Sequence, residues 1–501
     1  MSSTGRPKSE YRSAQHEGTP VSSTGRPKSE YRSAQHEGTP VSIDPTRTLF
    51  AAHALLPHGW ARDVRLEWDA GGTLIQVDID APAGTAPRAG GVLLPGMPNL
   101  HSHAFQRAFA GLSEYRSTTA ASGDSFWTWR DLMYRFALAI SPDQLEAIAL
   151  QLYIEMLQAG YTSVCEFHYL HHDAAGRRYA DPAEMSMRLI AAARRAGIGL
   201  TLLPVLYQTA GFDGRAPRDD QRRFVNDTDA LLDIASRARA EGARVGVAPH
   251  SLRAVAPSAL QAIVAGMHAI DAGAPVHIHI AEQQQEVQDC LEARGARPVE
   301  WLLANAKVDA RWCLVHATHL DDAELRGIAA SGAVAGLCPT TEANLGDGIF
   351  RAAEFIAAKG VWGIGSDSHA SLGAGEELRL LEYTQRLAQL RRNVLFGDQH
   401  PQIADNLWLG AVAGGARASG RAIAGLAVGQ QADFVSLADD ALGGLPPSQM
   451  LAAHVFASHG RNAVQDVWVA GRQHVRGGAH AAERSACEAF VTARRQLMSA
   501  V

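Results

Sequence analysis

The chain has 501 residues, of which 46% are hydrophobic and 20% charged, with a formal net charge of −6 at neutral pH. That is the balance of an ordinary globular protein long enough for one large catalytic domain plus smaller structure. The negative balance and the lack of a basic run argue against nucleic-acid binding, and no stretch of about 18 apolar residues is present to span a membrane. Five widely spaced cysteines, Cys165, Cys290, Cys313, Cys338 and Cys487, read as reduced thiols in a cytoplasmic protein rather than a disulfide framework.

Residues 2–21 and 22–41 carry the same 20-residue sequence twice. Neither copy has an apolar face to bury, so residues 1–41 are expected to be a disordered leader outside the fold. Residues 42–92 hold short alternating segments such as Val64–Trp68 and Thr73–Ile79, the strand-and-turn pattern of a small sheet.

From 93 to 410 the rhythm changes to apolar strands separated by amphipathic helices. The strands are read at Val92–Leu100, Thr162–His168, Gly199–Tyr207, Val245–His250, Val276–Ala281, Trp312–His316, Ala333–Cys338 and Val361–Ser366. Helices fall between them at Pro142–Ala159, Pro182–Ala196, Thr228–Glu241, Pro257–Ala272 and Asp321–Ala330, opening on Ser, Thr, Asp or Pro as caps should. Eight such units predict an α/β chain built as a (β/α)8 TIM-like barrel, with an open α/β sheet as the alternative. Short strands return in 411–480, at Gln431–Leu437 and Val464–Gly471. They are expected to join 42–92 in one small β-sandwich domain composed of both chain ends. A helix over about Ala481–Met498 closes residues 481–501.

The stretch Leu94–His103 organises the site. His101 and His103 alternate in an extended segment, so their side chains reach one point, a natural pair of ligands for a divalent metal of the zinc type. Two exposed histidines after a turn would look the same, but later strands end in answering residues. Strand five reads His277-Ile-His279-Ile-Ala-Glu282, strand six ends in His316, and strand eight runs into Ser366-Asp367-Ser368-His369. These are the carboxyl ends, where barrel enzymes build their sites. Spacing alone leaves His277 and His279 as equal candidates.

The segments Pro95–Arg107, Pro249–Val255, Val276–Gln283, Cys338–Phe350 and Gly365–Ser371 resemble the amidohydrolase superfamily in its cytosine/guanine-deaminase-like branch, and within it the formimidoylglutamate deiminases, over roughly residues 47–480. That resemblance implies one divalent ion, zinc by donor type although iron or manganese suit the set, bound by His101, His103, His279 and Asp367. It selects His279 over His277 and leaves His277 and His369 as supporting residues. It further implies Asp367 as general base, His316 as hydrogen-bond donor to the attacking water and Glu282 as proton donor to the substrate imine. The implied reaction is hydrolytic deimination of N-formimidoyl-L-glutamate, by a homodimer.

Recognition of the two substrate carboxylates calls for cations. Arg253, after His250 in the Pro249–Val255 segment, is the first candidate, with Gln106 and Tyr169 as further partners and Arg107 and Arg130 as weaker ones. Trp127 and Trp129 are read as packing residues, and Asn344–Gly348 as a loop with special backbone angles at its glycines. An aminated heterocycle such as guanine is the competing substrate; Arg253 and Gln106, with no obvious aromatic slot, argue against it. A non-catalytic barrel is the rival of another class, opposed by the full set of site residues. Deletion of residues 2–41 is expected to leave hydrolytic activity unchanged; a large loss of turnover in the truncated enzyme would refute the leader's dispensability.

Overall fold

The computed structural model describes residues 47–114, 126–397, 401–438, 440–458 and 462–500; the expected leader at 1–41 lies outside the described residues. Thr46–Val501 form one compact unit. Alternating residues build Thr48–Leu56 (β1), Gly59–Trp68 (β2) and Leu74–Asp78 (β3), followed by Val92–Pro95 (β4). Parallel strands follow: Met97–Ser102 (β5), Tyr161–His168 (β6), Gly199–Leu206 (β7), Arg244–Val245 (β8), Ala248–Pro249 (β9), Val276–Ile280 (β10), Trp312–His316 (β11), Val334–Leu337 (β12) and Val361–Ile364 (β13). Phe434–Leu437 (β14), Val464–Val469 (β15), Arg472–Arg476 (β16) and Ala479–His480 (β17) complete the strands.

Both chain ends meet in a single eight-stranded sheet, ordered β17-β16-β15-β14-β4-β1-β2-β3. Its centre is β4, parallel to β1 at Ala54 and Leu93 and antiparallel to β14 along Pro95–Val92. A small core that includes Leu49, Val64, Leu66, Leu93, Phe434 and Trp468 holds the two ends together. Phe434 stands at its middle, 5.7 Å from the Trp68 ring and 5.0 Å from the Trp468 ring.

The expected first strand, Val92–Leu100, is thus two strands with different partners. The break is at Gly96, whose amide donates to Asp433 O at 3.0 Å. A Cβ there would strike the Thr162 side chain, so only glycine lets the chain cross from the sheet into the parallel set. The expected strand Val245–His250 is likewise divided, into β8 and β9, with both parts paired to β7.

β5 to β8 and β10 to β13 form two parallel sheets. Bridges between Val247 and Val276 and between Ser251 and His279 join them on one side, and Ser102 with Asp367 joins them on the other. The pairing therefore closes as a ring. Every residue of β5, β6, β7, β10 and β11 is buried, as expected for strands covered on both faces. The predicted helices appear within two residues of their expected limits, for example Pro142–Gln158 opening on a Ser141–Gln144 capping box.

The boundary expected at 411 falls inside a helix, Ile403–Ser419. Its glycines lie directly on the ring, and a Cβ on Gly414 would coincide with the Trp362 carbonyl oxygen in β13. Gly414→Ala is expected to destabilise the protein by about 1–3 kcal/mol through this forced separation, measured by denaturant unfolding. Wild-type stability in that variant would show that the helix does not depend on this contact.

Candidate functional site

The carboxyl ends of β5, β10, β11 and β13 converge. His101 and His103 project from one side of extended β5; their Nε2 atoms are 3.1 Å apart, and His279 Nε2 from β10 lies 2.9 Å from that of His101. Asp367 Oδ1 sits 3.4 Å from His101 Nε2 and 3.3 Å from His103 Nε2. Burial pushes His101 down to about 3 and lowers His103 and His279 as well, so all three imidazoles are neutral at physiological pH. His103 Nδ1 donates to the Phe167 carbonyl at 2.8 Å, which leaves its Nε2 a bare lone pair.

A single hydrogen on His101 Nε2 can face only one of His103, His279 and Asp367 at a time. One cation can face them all: four ligands about 2.0–2.2 Å from zinc stand about 3.3–3.6 Å apart in a tetrahedron. The donor set fits a divalent ion. Two other groups of side chains come close enough to hold one among the described residues, His316 with Cys338 and Glu342, and Glu282 with His316 and Asp347. Neither offers three neutral imidazoles.

His316, at the end of β11, places Nε2 3.8 Å from both Glu282 Oε1 and Asp367 Oδ2, and Nδ1 3.3 Å from Glu342 Oε1. Burial alone would lower it, but Glu282, Glu342 and Asp367 together push it up to about 10; a cation beside Asp367 acts in the opposite direction. Burial also works to raise Asp367, and there hydrogen bonding to His101 and the surrounding imidazoles win, holding the carboxyl below the usual carboxylate range. Glu282 goes the other way. Burial, reinforced by Asp367, raises it against His316 and Arg253.

The frame behind these residues is polar and buried. Glu166, at the end of β6, accepts from Ser102 Oγ at 2.7 Å, Ala104 N at 2.6 Å and Tyr153 OH at 3.2 Å, which pins the turn after His103. His369 lies between Ser366 Oγ at 3.0 Å and Ser102 Oγ at 3.3 Å. His277 is at the far end of its strand, 2.8 Å from the Ala418 carbonyl. Left-handed backbone at non-glycine residues collects here, with φ of 51° at Ala281, 67° at His316, 45° at Asp367 and 60° at His369. Such conformations cost energy and persist only where the surroundings impose them.

Above the imidazoles a pocket is walled by Gln106, Tyr169, His250 and Arg253, together with Trp129, Arg130, Tyr134, Tyr207 and Phe224. Gln106 Nε2 donates to Tyr169 OH at 3.0 Å, while Gln106 Oε1 and Arg253 Nε have no hydrogen-bond partner among the described residues. Arg107 pairs with Glu155 at 2.8 Å instead. Of the two weaker arginine candidates, Arg130 reaches the pocket.

The walls are aromatic, which corrects the expectation of a site without an aromatic slot, and Trp129 lines the pocket as well as packing on Phe109. The reason is positional. Tyr134 and Arg130 sit on the helix Phe126–Ala139, which the sequence pattern had not been read as forming, and Gln221 donates to both Tyr134 OH and Tyr207 OH, at 2.9 and 2.8 Å. Tyr207 was already the last residue of an expected strand, the position where site residues belong. Gly346 and Gly348 do have left-handed backbone, φ 70° and 134°, but Asn344 and Leu345 end the helix Pro339–Leu345 rather than form a loop.

Residues 92–473 match the profile of the Amidohydrolase family, and residues 46–91 that of the formimidoylglutamate deiminase HutF N-terminal domain. A formimidoylglutamate deiminase of Pseudomonas aeruginosa is 54% identical over 456 residues, covering 90% of this chain and 99% of that protein. A 5-methylthioadenosine/S-adenosylhomocysteine deaminase of Shouchella clausii is 28% identical, over 76% of this chain and 80% of that one. The crystal structure of an amidohydrolase from Brucella melitensis superposes with a TM-score of 0.85 at 49% identity, covering 90% of this chain and all of that chain. An adenosine deaminase from Xanthomonas campestris with bound zinc shares the fold, with a TM-score of 0.72 at 23% identity over 90% and 98% of the two chains.

His101→Ala removes the nitrogen that both other imidazoles face. Metal analysis of the purified variant is expected to find less than about a tenth of the wild-type content, in line with the 10–100-fold losses of affinity that even outer-sphere changes cause. Retention of wild-type content would place the ion elsewhere.

Proposed function

This chain belongs to the amidohydrolase family, in its formimidoylglutamate deiminase group, and from that premise we propose that it hydrolyses N-formimidoyl-L-glutamate to N-formyl-L-glutamate and ammonia in histidine degradation. His101, His103, His279 and Asp367 hold one divalent ion, zinc by the chemistry of the set. Such an ion makes water acidic near neutral pH and so supplies a nucleophile.

The rest falls to the chain's own groups. Asp367, kept ionised, takes the proton of the attacking water as its oxygen bonds to the formimidoyl carbon. His316 hydrogen-bonds that oxygen and steadies the tetrahedral intermediate. Glu282, whose carboxyl burial shifts toward the protonated form, gives a proton to the terminal nitrogen. The proton held by Asp367 then passes to the resulting amine, the carbon–nitrogen bond breaks and ammonia leaves, and the remaining hydroxyl returns its proton to Glu282 as it becomes the formyl carbonyl. Each acid–base step is worth about 10²–10⁴-fold.

One observation carries the substrate assignment. Arg130 and Arg253 share the pocket beside the metal ligands, and burial together with the neighbouring Arg253 pushes the Arg130 guanidinium down. Two like charges in a desolvated site are relieved by an anion, and the glutamyl part offers two carboxylates for their planar forks. Gln106, Tyr169 and His250 supply the remaining polar contacts, and the aromatic rings cover the methylene chain. A neutral base offers no charge to the two guanidiniums.

The same proposal takes the closed ring as a (β/α)8 barrel and the composite sheet as a small β-sandwich, in a cytoplasmic homodimer. No helix among the described residues is long and apolar enough to cross a membrane.

The test is ammonia release by the zinc-loaded protein from N-formimidoyl-L-glutamate, with formimidoylated aspartate, guanine and cytosine alongside. Turnover should be confined to the acyclic amidines and favour glutamate. Arg253→Ala at constant metal content should lower kcat/KM by about 10²-fold or more, as loss of one partner of a buried charge pair does. Turnover of guanine in preference would sink the substrate assignment while leaving the metal chemistry standing.

A further inference from the structure

Glu342 is a buried acid that neither the reaction steps nor the carboxylate pocket uses. It lies in the helix Pro339–Leu345 that follows β12, and is 5% exposed. Its Oε1 accepts the Cys338 amide at 2.8 Å and lies 3.3 Å from His316 Nδ1. The turn carrying it is anchored on two sides. Thr340 N donates to Glu377 Oε2 at 2.9 Å, and Thr341 Oγ1 accepts the Ser368 amide at 3.2 Å. Ser368 directly follows Asp367, so the base, His316 and Glu342 belong to one hydrogen-bonded frame.

A carboxylate oxygen has only lone pairs to offer, so facing Nδ1 it demands an N–H there. That choice fixes both the hydrogen on Nδ1 and the face of the ring, and it leaves Nε2 aimed between Glu282 and Asp367, 3.8 Å from each. With no acceptor at Nδ1 the ring is free to turn over, and Nε2 then no longer holds that aim. We propose that Glu342 is a positioning residue for the hydrolysis, acting through His316: by accepting Nδ1–H it holds the imidazole so that Nε2 meets the attacking water and the tetrahedral intermediate. This rests on the reading in which His316 makes that contact. Because Arg130 and Arg253 grip the substrate elsewhere, Glu342 governs kcat and leaves KM alone.

The competing role is purely structural, since the same oxygen also ties down the Cys338 amide. A double-mutant cycle separates the two. Wild type, Glu342→Ala, His316→Ala and the double variant are compared as metal-loaded enzymes on N-formimidoyl-L-glutamate, with metal content measured for each. Glu342→Ala is expected to lower kcat by about 10–100-fold, the usual scale for removing the partner that orients a site imidazole, with KM within about 3-fold and metal content unchanged. In the His316→Ala background the same change should cost nothing further. Glu342→Gln, whose amide oxygen still accepts Nδ1–H, should recover most of the activity, and Glu342→Leu repeats the cycle with the side-chain volume kept.

An equal loss in both backgrounds would overturn the proposal in favour of a structural role, as would wild-type kcat in both the alanine and leucine variants. If the wild type ignored N-formimidoyl-L-glutamate, the substrate assignment would fail separately, and the cycle would be run on the compound it does turn over.

Discussion

His101 Nε2 faces His103 Nε2, His279 Nε2 and Asp367 Oδ1 at 2.9–3.4 Å, with Asp367 Oδ1 also 3.3 Å from His103 Nε2, and the architecture around them exists to hold that arrangement. The ring closes at the same place: Asp367 N donates to the His101 carbonyl at 3.0 Å and His103 N to the Asp367 carbonyl at 3.3 Å. Bringing the first and last strands together and bringing Asp367 onto the histidines are therefore one event. Lone pairs held face to face repel, so a bound cation contributes to folding as well as to chemistry. The left-handed backbone at Ala281, His316, Asp367 and His369 is the local cost of ending four strands on a common point.

The acid and the base are the same kind of group in different surroundings. Asp367 and Glu282 are both buried, and burial favours the neutral form of each. Asp367 is offset by His101, His103 and His316 around it, whereas Glu282 has Asp367 and Glu286 as like-charged neighbours. His316 stands between the two, so its orientation decides whether one hydrogen-bonded path links them. Opposite pKa displacements in two carboxyls beside the same imidazole agree with the proposed division into acid and base.

Much of this was legible in the chain because strand ends carry polar residues at fixed spacing. Trp312–His316 was read to the residue, and the alternation at His101 and His103 already implied convergence. What escaped was set by tertiary contact. Gly96 breaks a continuous apolar run because Thr162 from the neighbouring strand occupies the space of its Cβ, and periodicity carries no trace of that. His277 and His279 are indistinguishable by spacing; only the direction of the strand puts one against Ala418 O and the other against His101. Glu342 falls in the singled-out Cys338–Phe350 segment, but its contact with His316 is not legible there because that partner lies 26 residues away at the end of a strand.

Substrate choice follows from what the pocket lacks rather than from its ring faces. Trp129, Tyr134, Tyr207 and Phe224 would accept a flat heterocycle as readily as a methylene chain, so aromaticity does not discriminate. Charge does. Two guanidiniums share the buried wall, and the Nε of Arg253 has no hydrogen-bond partner among the described residues; in the proposed reading a carboxylate suits them better than an uncharged base. In the proposed reading the metal ligands and their neighbours set the hydrolysis, and Arg253 after β9 and Arg130 on the helix Phe126–Ala139 set what is hydrolysed.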